Sequence, residues 1–424
     1  MRVLYLARLF SGLESSLIRR VWAPTGVPTI YKFVELLDRR ASALRLVLAQ
    51  KDGHTTWTAT KPQEIKMAAL RRSIRVLPGT AHFAFLPRAM AAALRELLHL
   101  AAVVRETAKF RPDVVYIDHG NVWQAGLLAR FSSIPVVFRV MGVYPAMRTA
   151  LDGSRPAHAL LRWLYRSPFA AVVCTQDGSG VETWLDRAIA PSVPRSIMLN
   201  GIDQPIEDVS SEVLEMVPAD ACLVTFVGKL EAAKGATEFM RAFLEAARHE
   251  PRLHALVIGT GSGRAAVGEL VERADAAARV TMVDRLPHGQ VLNLLKRTDI
   301  YVSLNRLGNL SNANLEAMLA GIAMVVPRAQ PWVGIDVATD ALFPPDALWR
   351  IAQTDDLDGL VAALLALAAN PAERARRAAA IRDAAKRFAW SWQARLDAEY
   401  AIVEAAASGQ APPSTHYVSQ GADP

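Results

Sequence analysis

Two short segments in the second half of the chain carry the residue types that phosphate chemistry needs. Phe226-Val-Gly-Lys-Leu-Glu-Ala-Ala-Lys-Gly235 places two lysines, Lys229 and Lys234, on a loop that runs into a helix. Leu310-Ser-Asn-Ala-Asn-Leu-Glu-Ala-Met-Leu-Ala-Gly321 reads as a second loop-to-helix passage, with the carboxylate of Glu316 inside the helix. Between them lies a strand, a Gly-rich turn and a helix start, Ala255-Leu-Val-Ile-Gly-Thr-Gly-Ser-Gly263. Lysines and the open N–H groups of a helix start neutralise phosphates, and a carboxylate accepts hydrogen bonds from two ribose hydroxyls. The set therefore suits a nucleoside diphosphate. Ala313, Asn314 and Leu315 would present the helix N–H groups, with Asn312 positioning their loop. Fixed cations also stabilise the negative charge that grows on a departing phosphate, a task otherwise given to a metal. No Asp-x-Asp pair accompanies either segment, so the expected chemistry is metal-independent.

The same residues resemble a known family: the retaining glycosyltransferases of the GT-B type, in the large GT4-like group. Its sugar-nucleotide motif reads roughly Gly-Arg/Lys-Leu, then Lys-Gly, then Glu, seven residues and Glu, then Ala-Met-Ala-x-Gly. Lys229, Lys234, Gly235 and Glu316-Ala-Met match it, and Leu310-Ser-Asn-Ala fits a common variant. Asn200-Gly-Ile-Asp203 is similar to the Asn-Gly-Val-Asp that closes the family's first domain. The likeness is strong from about 200 to 330 and weak before 110.

The resemblance implies a nucleotide-diphospho-sugar donor, UDP- or GDP-linked, and no further cofactor. It implies a ribose contact at Glu316, donor contacts at Gly228, Gly259, Gly261, Asn309 and Ser311, and a largely backbone contact to the base at Leu286. On the acceptor side it implies Gly26 in the loop before the first long helix and His119 at a strand end, with Asp118, Arg139 and Tyr144 beside it. His119, Lys229 and Lys234 are the expected catalytic residues. The chain departs from the motif at one place: the first Glu of the pair should stand at 308, and that residue is Gly308. Asn305 or Asn309 is the expected substitute, and altered donor specificity is expected before loss of activity.

Positioning such residues takes a particular framework. Short buried runs (Val3–Ala7, Leu44–Ala49, Asp113–Asp118, Pro135–Val140, Ala170–Thr175, Ser196–Leu199) alternate with helical spacing such as Thr29–Arg40. A second set follows from Cys222: Leu223–Val227, Ala255–Ile258, Val280–Val283, Ile300–Ser303 and Ala323–Val326. Strand–helix alternation predicts an α/β fold with parallel, doubly wound sheets. The expected architecture is GT-B, two Rossmann-like domains facing across a cleft. Residues 1–203 would bind the acceptor, 204–220 would be a linker, and 221–385 would bind the nucleotide sugar. Residues 386–406 would form a helix crossing back to the first domain, and the Gly/Pro/Ser-rich 407–424 a disordered tail.

Composition narrows the function classes. With 52% apolar and 21% charged residues the chain is globular. Its two cysteines, Cys174 and Cys222, lie in apolar strand-like runs, which argues against a disulfide scaffold or zinc site and fits a reducing, cytoplasmic compartment. No apolar run reaches the ~18 residues of a membrane span. The net charge of +7 is concentrated: Lys61 to Arg111 holds ten Lys/Arg and three Asp/Glu, so the remainder is about neutral. There Phe83, Phe85, Leu86, Met90, Leu94, Leu97 and Leu98 interleave with Arg88, Arg95 and His99. That pattern suits an amphipathic helix on anionic lipid; the plainer reading is a helix whose apolar face packs within its own domain. No recognition motif accompanies the charge, which argues against nucleic acid. Gly259-Thr-Gly-Ser-Gly263 lacks the full dinucleotide spacing, which argues against a dehydrogenase. The expectation is a peripheral-membrane glycosyltransferase acting on a glycan or lipid-linked glycan in cell-envelope or exopolysaccharide synthesis. A sugar-nucleotide epimerase and a nucleotide-sugar-binding protein without transferase activity are the alternatives.

Overall fold

The structure is a computed structural model and describes residues 1–51, 57–80, 83, 85–203 and 212–413. It divides into two compact units. The first comprises, of the described residues, 1–175, 182–198 and 393–413; the second comprises 199–392 together with the short segment Gln176–Val181. Residues 204–211 of the linker expected at 204–220 and 414–424 of the tail expected from 407 lie outside the described residues. Of these stretches the structure gives the short helix Glu212–Glu215 and the end of the helix Trp392–Ala407.

The first unit is built on β1 (Arg2–Arg8), β2 (Ala43–Ala49), β3 (Gln63–Ile65), β4 (Ile74–Leu77), β5 (Val114–Asp118), β6 (Val136–Val140), β7 (Ala171–Thr175) and β8 (Arg195–Met198). They form one sheet in the order β3-β4-β2-β1-β5-β6-β7-β8. All neighbours pair parallel except β3 with β4. The central strands are apolar along their whole length because helices cover both faces; every residue of β5, β6 and β7 is buried. β3 and β4 were not legible as strands: they are three and four residues long, at the sheet edge, in the basic stretch.

The second unit is built on β9 (Cys222–Val227), β10 (Leu253–Ile258), β11 (Val280–Val283), β12 (Ile300–Val302), β13 (Ala323–Pro327) and β14 (Trp349–Ile351), all parallel, in the order β11-β10-β9-β12-β13-β14. The order reverses between β9 and β12, the kind of switch point at which open α/β sheets bind ligands beyond the strand ends. The helix Ala236–His249 buries Phe239, Met240, Phe243 and Ala246 against this sheet, with Phe239 stacked on Phe226 at 5.3 Å. Both units are Rossmann-like. Both cysteines are buried free thiols.

The helix Arg88–Phe110 is reversed with respect to its charge. Its buried face carries Glu96, His99, Glu106 and Thr107, while Met90, Leu97, Leu98 and Val104 are exposed. The buried polar groups are paired. Glu96 takes an ion pair from Lys51 at 2.5 Å, Glu106 from Arg45 at 2.6 Å and Arg75 at 2.8 Å, and His99 Nε2 lies 2.7 Å from the Pro78 carbonyl. Burial lowers the His99 pKa to about 4, so it stays neutral. Met90, Leu97, Leu98 and Val104 therefore do not pack within their own unit, and His99 belongs to the inward side.

Candidate donor and acceptor sites

In the second unit the two Gly-rich turns lie back to back. Gly228 N–H donates to the Ile258 carbonyl (3.0 Å), Leu230 N–H to Thr260 (2.9 Å), and Gly263 N–H to Leu230 (2.7 Å). Gly259 has φ +154, and a Cβ there would stand 1.8 Å from the Gly228 carbonyl oxygen. Only glycine lets the turns approach this closely. Ser262 fixes the pair by donating from its backbone and hydroxyl to Glu231. Lys229 projects from the first turn and is exposed. Lys234 ends a 3₁₀ turn, Ala232–Lys234, and is half-buried. Burial lowers its pKa, Asp177 opposes that shift, and Lys229 adds to it.

The second motif starts the helix Asn312–Ala320, with Ser311 as N-cap and no side-chain cap on its first N–H groups. Leu315 N–H already donates to the Ser311 carbonyl at 2.9 Å. The open N–H groups are therefore those of Asn312, Ala313 and Asn314, one residue earlier than expected. Glu316 is buried, and His288 Nε2 lies 2.9 Å from its Oε1 while His288 Nδ1 is 3.6 Å from Asp203. His288 thus engages one oxygen of the Glu316 carboxylate. It opens the helix His288–Arg297 directly after the turn that holds Leu286. Leu286 itself is half-buried and packs against Leu223, Leu256 and Ile258. Asn312 Oδ1 accepts from the Asn200 amide, which ties the helix start to the Asn-Gly-Ile-Asp segment.

Several expected contacts are otherwise engaged. Asn309 is fully buried. Its backbone N–H donates to Asp336 Oδ1 (2.7 Å), its amide to Asp336 Oδ2 (2.6 Å), and its side-chain oxygen accepts from Ser303. Asn305 spends its amide on the Gly308 carbonyl and its side-chain oxygen on Leu307 N–H. Neither is the substitute for a side chain at 308; both hold the loop. Asp336, which burial shifts to a pKa of about 6, is the centre of that lock. One Asp-x-Asp spacing does occur, at Asp356-Leu-Asp358. There Asp356 caps the helix Leu357–Ala369, accepting from the N–H groups of Gly359 and Ala352. Among the described residues no group of three or more His, Cys, Asp or Glu is placed to hold a metal ion.

In the first unit His119 begins a 3₁₀ turn after β5 and stacks on Tyr144, ring centroids 5.6 Å apart. Its Nδ1 is buried without a hydrogen-bond partner, and burial lowers its pKa, which keeps the ring neutral. Tyr144 is 47% exposed. Thr29 Oγ1 reaches Met141 Sδ at 3.9 Å, so the helix start next to Gly26 lies near the Met141–Tyr144 loop. Asp118 and Arg139 do not belong to this open group. Asp118 is buried, accepting from Arg8 N–H (2.8 Å) and the Asn121 amide (2.6 Å). Arg139 is buried against Glu399 at 3.1 Å and donates also to the Val140 and Val173 carbonyls and to Thr175. Burial pushes the Glu399 carboxyl up, but Arg395 and Arg139 outweigh it and hold it below the usual range. The guanidinium of Arg139 is thus committed to the helix Trp392–Ala407 and offers an acceptor no donor.

The segment carrying the diphosphate features matches the family model described as Glycosyl transferases group 1, over residues 216–336. The likeness to that family covers residues 216–336. A glycogen synthase of Mycobacterium tuberculosis is 25% identical over 312 residues, covering 72% of this chain and 71% of its own. A sucrose-phosphate synthase structure from Thermosynechococcus elongatus superimposes with a TM-score of 0.70 at 15% identity, covering 97% of this chain and 100% of that one. An E. coli trehalose-6-phosphate structure bound with UDP-2-fluoro glucose superimposes with a TM-score of 0.60 at 13% identity, covering 91% and 95%. These likenesses place the chain in the GT-B fold. Asp177, His288 and Asp336 are the residues of the second unit's loops that sequence reading missed. Gln176-Asp-Gly-Ser-Gly180, a Gly-rich stretch directly after β7, was the available signal for the first.

Proposed function

We propose that the chain is a retaining, metal-independent glycosyltransferase of the GT4-like group that takes its sugar from a nucleotide-diphospho-sugar, UDP- or GDP-linked. The observation that carries the reading is that Lys229 and Lys234, the Gly-rich double turn, and a helix start with three uncapped N–H groups and Glu316 all follow the ends of β9, β10 and β12 in one parallel sheet. Lys229, Lys234 and the helix start would hold the diphosphate and stabilise it as a leaving group. Glu316 would exchange its contact with His288 for the ribose hydroxyls. Neutral His119, with Tyr144 against it, would orient the acceptor hydroxyl from the first unit. Incubation with UDP-glucose, UDP-N-acetylglucosamine and GDP-mannose and a panel of glycan acceptors tests this. NMR of the product should show the donor's anomeric configuration retained; an inverted product, or donor conversion without acceptor, would reject it. Gly308 favours a second reading, a nucleotide-sugar-binding protein without transfer, which predicts binding with no turnover.

The acceptor we infer is a glycan, lipid-linked, met at the cytoplasmic face of an anionic membrane during cell-envelope or exopolysaccharide synthesis. The support is the outward apolar face of the helix Arg88–Phe110. Met90, Leu97 and Leu98 are more than half exposed, Phe131 is 76% exposed, and Arg88, Arg105, Lys109 and Arg111 flank them. Beside the helix an apolar groove of about 640 Å³ runs between Leu100, Val104, Ala108, Leu127 and Phe131. Among the described residues no helix is long and apolar enough to cross a membrane, so the contact would be interfacial. The chain should co-sediment with phosphatidylserine-containing vesicles and leave them as salt rises. A Leu97→Glu/Leu98→Glu pair should weaken partitioning at least about tenfold. Unchanged sedimentation of the pair would remove this face from the account.

A further inference from the structure

Gly308 has φ +132, and a Cβ on it would stand 2.4 Å from the Gly178 carbonyl carbon and 2.6 Å from the Asp177 carbonyl oxygen. The space a side chain would need is filled by the backbone of Gln176–Val181. That segment is clamped from both sides. Leu310 N–H donates to the Asp177 carbonyl (3.1 Å), Asp336 N–H to the Gly178 carbonyl (2.7 Å), and Ser179 bridges to Ile335. Gly178, at φ +85, fits only because it too lacks a side chain: its Cβ would meet Asp336 Oδ1 at 2.6 Å and Asn309 N at 2.7 Å.

This docking fixes one carboxylate at the edge of the diphosphate site. Asp177 Oδ1 accepts from Ser179 N–H (3.1 Å) and from the Ser179 hydroxyl, which locks its rotamer. The side chain is only half-buried. Lys234 belongs to a segment bonded to the same loop, since Arg306 N–H donates to the Ala233 carbonyl (2.9 Å), and Asp177 and Lys234 form no ion pair with each other. A carboxylate and an ammonium carried on segments bonded to one loop, 306–310, and not paired with each other can both bond to one ligand. If Lys234 holds a donor phosphate, the next atoms of the donor are those of the sugar. A carboxylate in that position accepts hydrogen bonds from hydroxyls and donates none.

We propose that Asp177 is a specificity residue for the donor sugar. Its free carboxylate oxygen accepts a hydrogen bond from a sugar hydroxyl next to the phosphate on Lys234, and the Gly308/Gly178 backbone contact delivers it there. This rests on the nucleotide-sugar reading above.

Titration calorimetry with UDP, GDP, UDP-glucose, UDP-N-acetylglucosamine and GDP-mannose tests it on the wild-type chain and on Asp177→Asn. Asparagine keeps the side-chain oxygen that Ser179 bonds and removes the charge, so the loop is retained; an unchanged melting temperature checks this. The expected result is that Asp177→Asn binds the free diphosphate as the wild type does, within about twofold, and loses about tenfold or more of its affinity for the preferred nucleotide sugar. Equal loss for diphosphate and nucleotide sugar would assign Asp177 to Lys234 alone and overturn the proposal. So would no loss for either. If the wild-type chain binds no diphosphate, the nucleotide-sugar reading fails as well; if it does and Asp177→Asn is neutral, only the role of Asp177 fails.

Discussion

Lys234→Ala should lower the rate of diphosphate release from the donor by about 10²- to 10³-fold, the usual loss when one fixed donor to a developing anion is removed. Lys234 ends a 3₁₀ turn, and Gly235 after it packs so closely on Leu304 and Thr354 that a Cβ would collide with them. The turn that carries Lys234 is therefore packed in place, and partial burial strengthens the action of its ammonium on a phosphate. Exposed Lys229 should matter less, because water screens it and its stem is free to move. The order of effects is thus Lys234 before Lys229. A stopped assay of nucleoside diphosphate formation measures it. Equal rates for Lys234→Ala and wild type would take the phosphate role from this residue, since loss of an exposed or distant lysine leaves the rate unchanged.

Gly308→Glu should be the most damaging single change in the site, although it restores the carboxylate that the family motif places there. The backbone at 308 has a φ that side chains rarely adopt, and the Cβ alone would collide with main-chain atoms of Asp177, Gly178 and Ser179. Main chain clamped by hydrogen bonds on both sides does not yield as a flexible side chain would. The cost should be about 3 kcal/mol or more, read as a lowered melting temperature, together with lost nucleotide-sugar affinity as the Gln176–Val181 segment is displaced. Gly308→Ala should reproduce most of the destabilisation, because the collision is with Cβ and not with the carboxylate. If Gly308→Glu melts like the wild type, the Gln176–Val181 segment is not packed where the structure has it.

The parts of this protein that were legible in its sequence are those fixed by local pattern. β5, β7, β9 and β10 are continuous apolar runs because both sheet faces are covered, and such runs are visible without any contact map. The Gly-rich turns were legible because a tight turn depends on short spacing. What depends on distant partners was not. Periodicity reveals that Arg88–Phe110 has an apolar stripe but not which way it faces. That is decided by Lys51, Arg45 and Arg75, which draw Glu96 and Glu106 inward. Asn309 was read as a ligand contact because its type and place suit one, yet Asp336 claims it. Asp118 and Arg139 sit at strand ends where ligands bind, but Arg8, Asn121 and Glu399 engage them. The empty side chain at Gly308 makes sense only with Gln176–Val181 against it, and no spacing rule links positions so far apart.

The central claim is that the double turn, the two lysines and the helix at Asn312 form a diphosphate site. Thermal melting of the wild-type chain and of Lys234→Ala with UDP, GDP and inorganic phosphate tests it most directly. A ligand that binds only the folded state raises the melting temperature. The account predicts a clear rise with one nucleoside diphosphate, little with phosphate at the same concentration, and loss of the rise in Lys234→Ala. A wild-type chain that melts at the same temperature with saturating UDP or GDP as without them would contradict it.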